Sequence, residues 1–210
     1  MARSFAHWNV RYLFDRMIEK SYRRRHPQVP WLAPAAVEFL AGYLKPGDCM
    51  LEFGSGGSTL WFARRVGHIT SVEHNPEWHA RIGQKIKELG ITNVTYLLRP
   101  KQDEAVPAKD TQYVQAAQEI SPDSLDVVLV DGTYRAQCVL HSLPLLKAGG
   151  ILVIDNVNRY LPSDSIAPNS RGRQQGPIDA EWQQVLDLIG GWRFFWTSNG
   201  VSDTAVYFKP

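Results

Sequence analysis

The sequence predicts an α/β protein: a doubly wound, seven-stranded sheet, mostly parallel, with a C-terminal antiparallel hairpin and helices on both faces. Three observations carry this. Between residues 49 and 154, short and almost continuously apolar runs alternate with helical segments, the pattern of a parallel sheet covered on both sides. A glycine-rich turn, Gly54-Ser55-Gly56-Gly57, follows the first of these runs. Near the end, Ser198-Asn199-Gly200 separates two strand-like segments, and an Asn-Gly pair is a strong hairpin signal.

Bulk properties agree with one globular unit. The chain has 210 residues, 44% hydrophobic and 21% charged, which suits a single domain with a full core. A net charge of +2 lacks the clustered excess of a dedicated nucleic-acid binder. Only Cys49 and Cys138 are present, which favours a reduced, intracellular chain. The N-terminus offers no uninterrupted apolar run of a secretory signal, and no window approaches the roughly 20 apolar residues of a membrane span. A cytoplasmic protein without a membrane partner is expected. One domain, 1–210, is read as a helical extension (1–45), a core (46–157), a loop (158–178), and a terminal helix and hairpin (179–210).

The elements follow in order. Residues 4–22 repeat apolar side chains at helical spacing, with Phe5, Trp8, Tyr12, Met17 and Ile18 on one side. Asp15, Arg16, Glu19 and Lys20 fill much of the other. After Arg23-Arg24-Arg25, a link spaced by Pro27, Pro30 and Pro34 leads to a helix over 35–43 and the turn Lys45-Pro46-Gly47-Asp48. Strands are predicted at 49–53, 69–73, 94–98, 125–130 and 151–154. Helices fall at 58–65, at 76–89 with Pro76 in the first turn, and at 134–146. Residues 158–177, rich in Pro, Ser, Asn, Gly and Arg, are too long for an ordinary connection and read as a functional loop. A helix over 179–189 and strands at 192–197 and 204–208 complete the chain.

The turn after the first strand carries the clearest chemistry. Glycine at Gly54 and Gly56 lets the backbone bend sharply and approach a ligand with no Cβ in the way. The helix opening near Ser58 offers free N–H groups to a carboxylate. Glu52 is a negative group before the turn, and Glu73 ends the second strand, where a carboxylate can accept hydrogen bonds from both hydroxyls of a ribose.

Motif, spacing and layout together resemble the class I S-adenosylmethionine-dependent methyltransferases, a Rossmann-like family. The resemblance implies a cofactor held by Glu52, Gly54, Ser55, Gly56 and Ser58, with Glu73 on the ribose, His74 beside the adenine, and Asp131 at the methyl group. Thr59 stands where a dinucleotide fingerprint has its third glycine, and Glu52 would repel a pyrophosphate, which favours this family over a nicotinamide-binding domain. An acid for the adenine amino group is missing at Arg99 and Pro100, the first candidates being Asp103 and Glu104.

Val130-Asp131-Gly132 ends one strand and Ile154-Asp155-Asn156 its neighbour. This resembles the metal-dependent O-methyltransferases, and the resemblance implies a magnesium ion on Asp131, Asp155 and Asn156 that lowers the acceptor hydroxyl's pKa. Tyr134 replaces that type's lysine, and the two Asp are closer in sequence than in the catechol type. The competing reading is that the carboxylates cap turns. His141 falls opposite the buried stripe of its helix and is expected to be exposed. Arg159, Tyr160, Arg171 and Arg173 are candidate contacts for the acceptor, while Trp8, Tyr12 and Trp31 are read as packing residues or a subunit contact in a homodimer. Small-molecule O-methylation leads. Methylation of RNA or another polyanion, suggested by Arg23-Arg24-Arg25, and a non-catalytic or nicotinamide-binding domain are the alternatives.

Overall fold

The computed structural model describes residues 9–26 and 28–210. Asn9 caps the first helix, α1 (Val10–Arg25), by accepting from the Tyr12 N–H at 2.9 Å. Helix α2 (Pro34–Tyr43) begins on a proline, which has no N–H to leave unpaired. There follow β1 (Cys49–Phe53), α3 (Gly57–Ala63), β2 (His68–Glu73), α4 (Pro76–Glu88) and β3 (Val94–Leu98). A short α5 (Gln112–Gln115) between two 3-10 turns precedes β4 (Leu125–Val130), α6 (Arg135–Ser142) and β5 (Leu146–Asp155). The chain closes with α7 (Ala180–Ile189), β6 (Arg193–Ser198) and β7 (Asp203–Phe208).

The sheet has seven strands in the order β3-β2-β1-β4-β5-β7-β6. The first five are parallel, and β7 runs antiparallel to both β5 and β6. β4 lies at the centre, and Val127, Val128, Leu129 and Val130 are fully buried, as continuous apolar strands require. Period-two alternation splits the core. Leu51, Phe53, Val128, Val130, Leu152 and Ile154 face α5, α6 and α7, while Met50, Val127, Leu129 and Ile151 face α2 and α3.

Because the strand order reverses direction at β1 and β4, their carboxyl ends diverge into a crevice. The turns after them nevertheless pass in close contact. Gly54 has φ +97°, and a Cβ there would meet the Gly132 nitrogen at 2.7 Å. Only glycine fits both the left-handed conformation and that approach.

Three features differ from the sequence reading. Residues 111–117, in a stretch for which the sequence reading named no element, pack into the core. Thr111 caps α5, and Tyr113 and Val114 are fully buried, with the Tyr113 ring 5.6 Å from that of Phe53. β5 starts at Leu146, five residues before the apolar run, and α6 correspondingly stops at Ser142. The third concerns α1. Its polar side packs inward, with Glu19 buried between Arg16 and Arg23, while Met17 and Ile18 face out. Phe5 and Trp8 lie outside the described residues.

Candidate active site

Glu52 is the penultimate residue of β1, and its carboxylate is fully enclosed. It accepts from three hydroxyls: Ser58 Oγ at 2.6 Å, Thr59 Oγ1 at 2.5 Å and Ser71 Oγ at 2.5 Å. Burial pushes its pKa up to about 7, against the pull of those donors. Glu52 is therefore not open to a ligand's amino group. It ties the start of α3 to β2 and so fixes the shape of the glycine turn, which corrects its expected role as a direct cofactor contact. The Ser58 hydroxyl is likewise turned to Glu52.

Glu73 sits at the carboxyl end of β2, where backbone donors surround it. Its Oε1 accepts from the His74 N–H at 2.9 Å and the Asn75 N–H at 2.8 Å, and its Oε2 from the Ser55 N–H at 3.1 Å and hydroxyl at 2.8 Å. These four donors match the roughly four acceptor positions of a carboxylate, and Glu73 is only 3% exposed, so a ligand hydroxyl would take the place of the Ser55 hydroxyl. Ser55 is itself pinned, since its carbonyl accepts from Trp78 Nε1 at 2.9 Å and its hydroxyl lies 2.7 Å from that of Tyr96. His74 is half-buried, with its Nδ1 3.1 Å from Glu73 Oε1 and its ring edge-on to Tyr113.

Asp131 and Asp155 come together at the ends of β4 and β5, with their carboxyls in direct contact, and the guanidinium of Arg135 ties the two strand ends. Arg135 is the first residue of α6, four positions after Asp131, which carries its side chain back over the strand ends. Its Nη2 donates to the Asp131 carboxylate at 2.9 Å and carbonyl at 2.8 Å, its Nε to the Gly132 carbonyl at 3.0 Å, and its Nη1 to the Asp155 carbonyl. Asp155 also accepts from Thr204 Oγ1 at 2.7 Å and Asn156 Nδ2 at 2.6 Å. Desolvation raises the pKa of both acids, and Asp131, facing Asp155, stands well above the carboxylate range despite Arg135.

This donor set does not fit the expected magnesium ion. A cation already bridges the strand ends, and Asn156 turns its amide nitrogen, not its oxygen, to Asp155. Asp131 Oδ1 and both carboxylate oxygens of Asp155 are engaged by N–H and O–H donors, which leaves no complete oxygen set for a hard divalent ion. The spacing of Asp131, Asp155 and Asn156 gave no sign of this, because the competing cation comes from the next helix.

Asp131 borders two cavities. One, of about 320 Å³, runs along the glycine turn past Ser55, Gly56 and Ser58 to Trp31 and Trp78. The other, of about 550 Å³, is walled by His74, Thr133, Tyr134, Tyr160 and Trp182. Tyr160 and Trp182 stack nearly parallel, 4.6 Å between centroids, giving that cavity a flat aromatic wall.

Of the four loop residues expected at the acceptor, only Tyr160 reaches this space. Arg171 donates to the carbonyls of Gln175 and Gly176 within its own loop, Arg173 pairs with Asp164 at the surface, and Arg159 is exposed. Trp31, read as a packing residue, is 64% exposed and lines the smaller cavity, with Arg23 4.6 Å from its ring centroid. His141 is half-buried rather than exposed. Arg99 pairs with Glu119, and Asp103 caps a surface turn by accepting from Ala105 N–H at 2.9 Å. Tyr113 and Trp182 were missed. The apolar cluster Tyr113-Val114-Ala116-Ala117 after a capping threonine was a readable signal for the first, whereas nothing local marked the second as a cavity wall.

Comparisons with known proteins give the family and the fold. Residues 51–157, just over half of the chain, match a family model described as "Methyltransferase domain". Protein-L-isoaspartate O-methyltransferase of Ignicoccus hospitalis is 32% identical over 131 residues, covering 58% of this chain and 54% of that protein. The chain thus spans about half the length of this curated relative. A solved methyltransferase-like protein from Silicibacter pomeroyi superposes with a TM-score of 0.55 at 24% identity, over 84% of this chain and 87% of that one. A putative caffeoyl-CoA O-methyltransferase from Staphylococcus aureus gives 0.58 at 16% identity, over 92% and 91%. These two likenesses are likenesses of fold.

Proposed function

The chain belongs to the class I S-adenosylmethionine-dependent methyltransferases, and from that premise we propose that it methylates an oxygen of a small acceptor, with Asp131 receiving the acceptor's proton. The observation that carries this reading is the position of Asp131 on the border of both cavities.

The residues around the glycine turn suit the cofactor. Gly56 lines the smaller cavity and leaves room for close approach, Ser55 positions Glu73, and ribose hydroxyls would replace the Ser55 hydroxyl as donors to that carboxylate. When bound, S-adenosylmethionine supplies an electrophilic methyl group. The chain's own contribution is to hold the acceptor and manage its proton. The aromatic wall of Tyr160 and Trp182 suits a flat, partly apolar acceptor, and about 550 Å³ is ordinary for a small-molecule site.

Desolvation gives Asp131 the raised proton affinity that a general base needs. As the acceptor oxygen gives up its proton to the Asp131 carboxylate, the freed lone pair becomes the nucleophile. Arg135 holds Asp131 in place and offsets the charge of Asp155, so the base stays oriented. The curated relative transfers to oxygen by name, which supports oxygen over nitrogen as the accepting atom.

The test is a screen with methyl-labelled S-adenosylmethionine against fractionated small molecules, total RNA and protein, each with and without EDTA. Label in a small-molecule ether or ester, unaffected by EDTA, is expected. Label confined to RNA or protein, or to nitrogen, would overturn the acceptor class.

A further inference from the structure

Helix α1 is built the opposite way round from an ordinary surface helix. At 3.6 residues per turn, Asp15 and Glu19 fall on the side packed toward the protein. Glu19, only 5% exposed, pairs with Arg16 and Arg23, and Asp15 lies against Gly200 at the hairpin tip. The outward side carries Val10, Leu13, Phe14, Met17 and Ile18, each between 46% and 85% exposed. Exposed Arg11, Lys20, Arg24 and Arg25 flank and extend this stripe. Lys20 and Arg24 make no ion pair among the described residues. Six basic and two acidic residues make α1 the most cationic element of a chain whose net charge is +2.

We propose that the outward face of α1 docks on an anionic lipid bilayer, with the apolar stripe entering the headgroup boundary and Arg11, Lys20, Arg24 and Arg25 contacting lipid phosphates. Both halves of the face are required for this reading. Apolar side chains in water favour transfer to a less polar medium, and cations attract an anionic surface. An apolar stripe flanked by cations with no carboxylate between them complements such a surface. A second copy of this chain is the poorer occupant, because Lys20, Arg24 and Arg25 of one copy would oppose those of the other, and Asp15 is already paired with Arg11 at 3.7 Å. The sequence-based expectation of no membrane partner rested on the lack of a spanning segment. No described helix is long and apolar enough to cross a membrane, and a helix lying in the interface needs no such length.

The full chain is sedimented with vesicles of phosphatidylcholine containing 30 mol% phosphatidylglycerol, and with vesicles of phosphatidylcholine alone. Binding to the anionic vesicles is expected to be at least tenfold tighter and to weaken in high salt. The paired variants Phe14→Glu with Met17→Glu, and Arg24→Glu with Arg25→Glu, should each lose at least tenfold in partitioning. Their titration with S-adenosylmethionine should match the parent chain, which shows that they are folded and that the cofactor site is separate. Equal or no binding to the two vesicle types overturns the proposal. So does a concentration-dependent dimer in sedimentation equilibrium that Phe14→Glu abolishes, since the face would then belong to a second copy.

Discussion

Glu52 and Asp155 are both buried carboxylates near the ends of parallel strands, yet the protein satisfies them by opposite means. Three neutral hydroxyls surround Glu52, and with no cation near, burial dominates and its pKa rises to about 7. Asp155 lies directly against Asp131, whose carboxylate pairs with Arg135, and Arg135 reaches Asp155 only through its backbone carbonyl. The first arrangement builds a rigid support for a turn. The second leaves one member, Asp131, at the border of two cavities with a raised affinity for a proton. Burial alone thus does not mark a reactive acid. What distinguishes Asp131 is burial together with access.

Changing the accessible acid should have the largest effect. Asp131→Asn keeps the shape but cannot receive a proton, so turnover should fall about 10²–10⁴-fold. Cofactor affinity should change less than threefold, which separates the base from the binding site. A variant with near-parental turnover would place Asp131 with Glu52 as support.

Removing the cation of Arg135 comes next. Arg135→Met leaves two facing carboxyls without their guanidinium and should cost about 3 kcal/mol in denaturant unfolding. The parent enzyme should keep full turnover in EDTA. Loss of activity in EDTA with recovery in magnesium would mean that Arg135 withdraws to admit a metal.

The supporting acid should show itself in the pH dependence of stability. Glu52 binds its proton more tightly folded than unfolded, its pKa rising from 4.5 to about 7. Its contribution is therefore fully favourable below 4.5 and is lost as pH rises through 7, by up to about 3 kcal/mol at 1.36 kcal/mol per pKa unit. Glu52→Gln should remove that fall, read as the difference between the two unfolding-stability profiles from pH 4.5 to 8. Parallel profiles would mean that Glu52 is ionised throughout.

How much of this was legible follows from the range of the interactions. β1, β3 and β4 match their predicted ends residue for residue, because a continuous apolar run is a local signal. The glycine turn was legible for the same reason, since a sharp strand-to-helix turn demands glycine in place, and Glu73 ends β2 where the sequence put the end of that strand. Glu52 was found but misread, because Ser71 lies nineteen residues away on another strand and its hydroxyl leaves no mark in spacing. At the carboxylate pair the residues were found and the ion was not, because Arg135 reads as an ordinary helix start. In α1 the sequence separated an apolar from a polar side and assigned neither to the protein. Periodicity separates two faces but does not say which one meets the protein, and here Glu19 goes in with its own arginines.

The most direct measurement is a calorimetric titration of S-adenosylmethionine into the parent chain and Glu73→Ala. The proposed contact of Glu73 with the cofactor ribose is the premise on which the roles of both cavities depend. Each charge-assisted hydrogen bond it offers is worth about 1.5–3 kcal/mol, so the variant should bind at least tenfold more weakly while its unfolding transition stays cooperative. Unchanged affinity in a folded Glu73→Ala protein would contradict the account, moving the cofactor off the glycine turn and Asp131 away from the transferred methyl group.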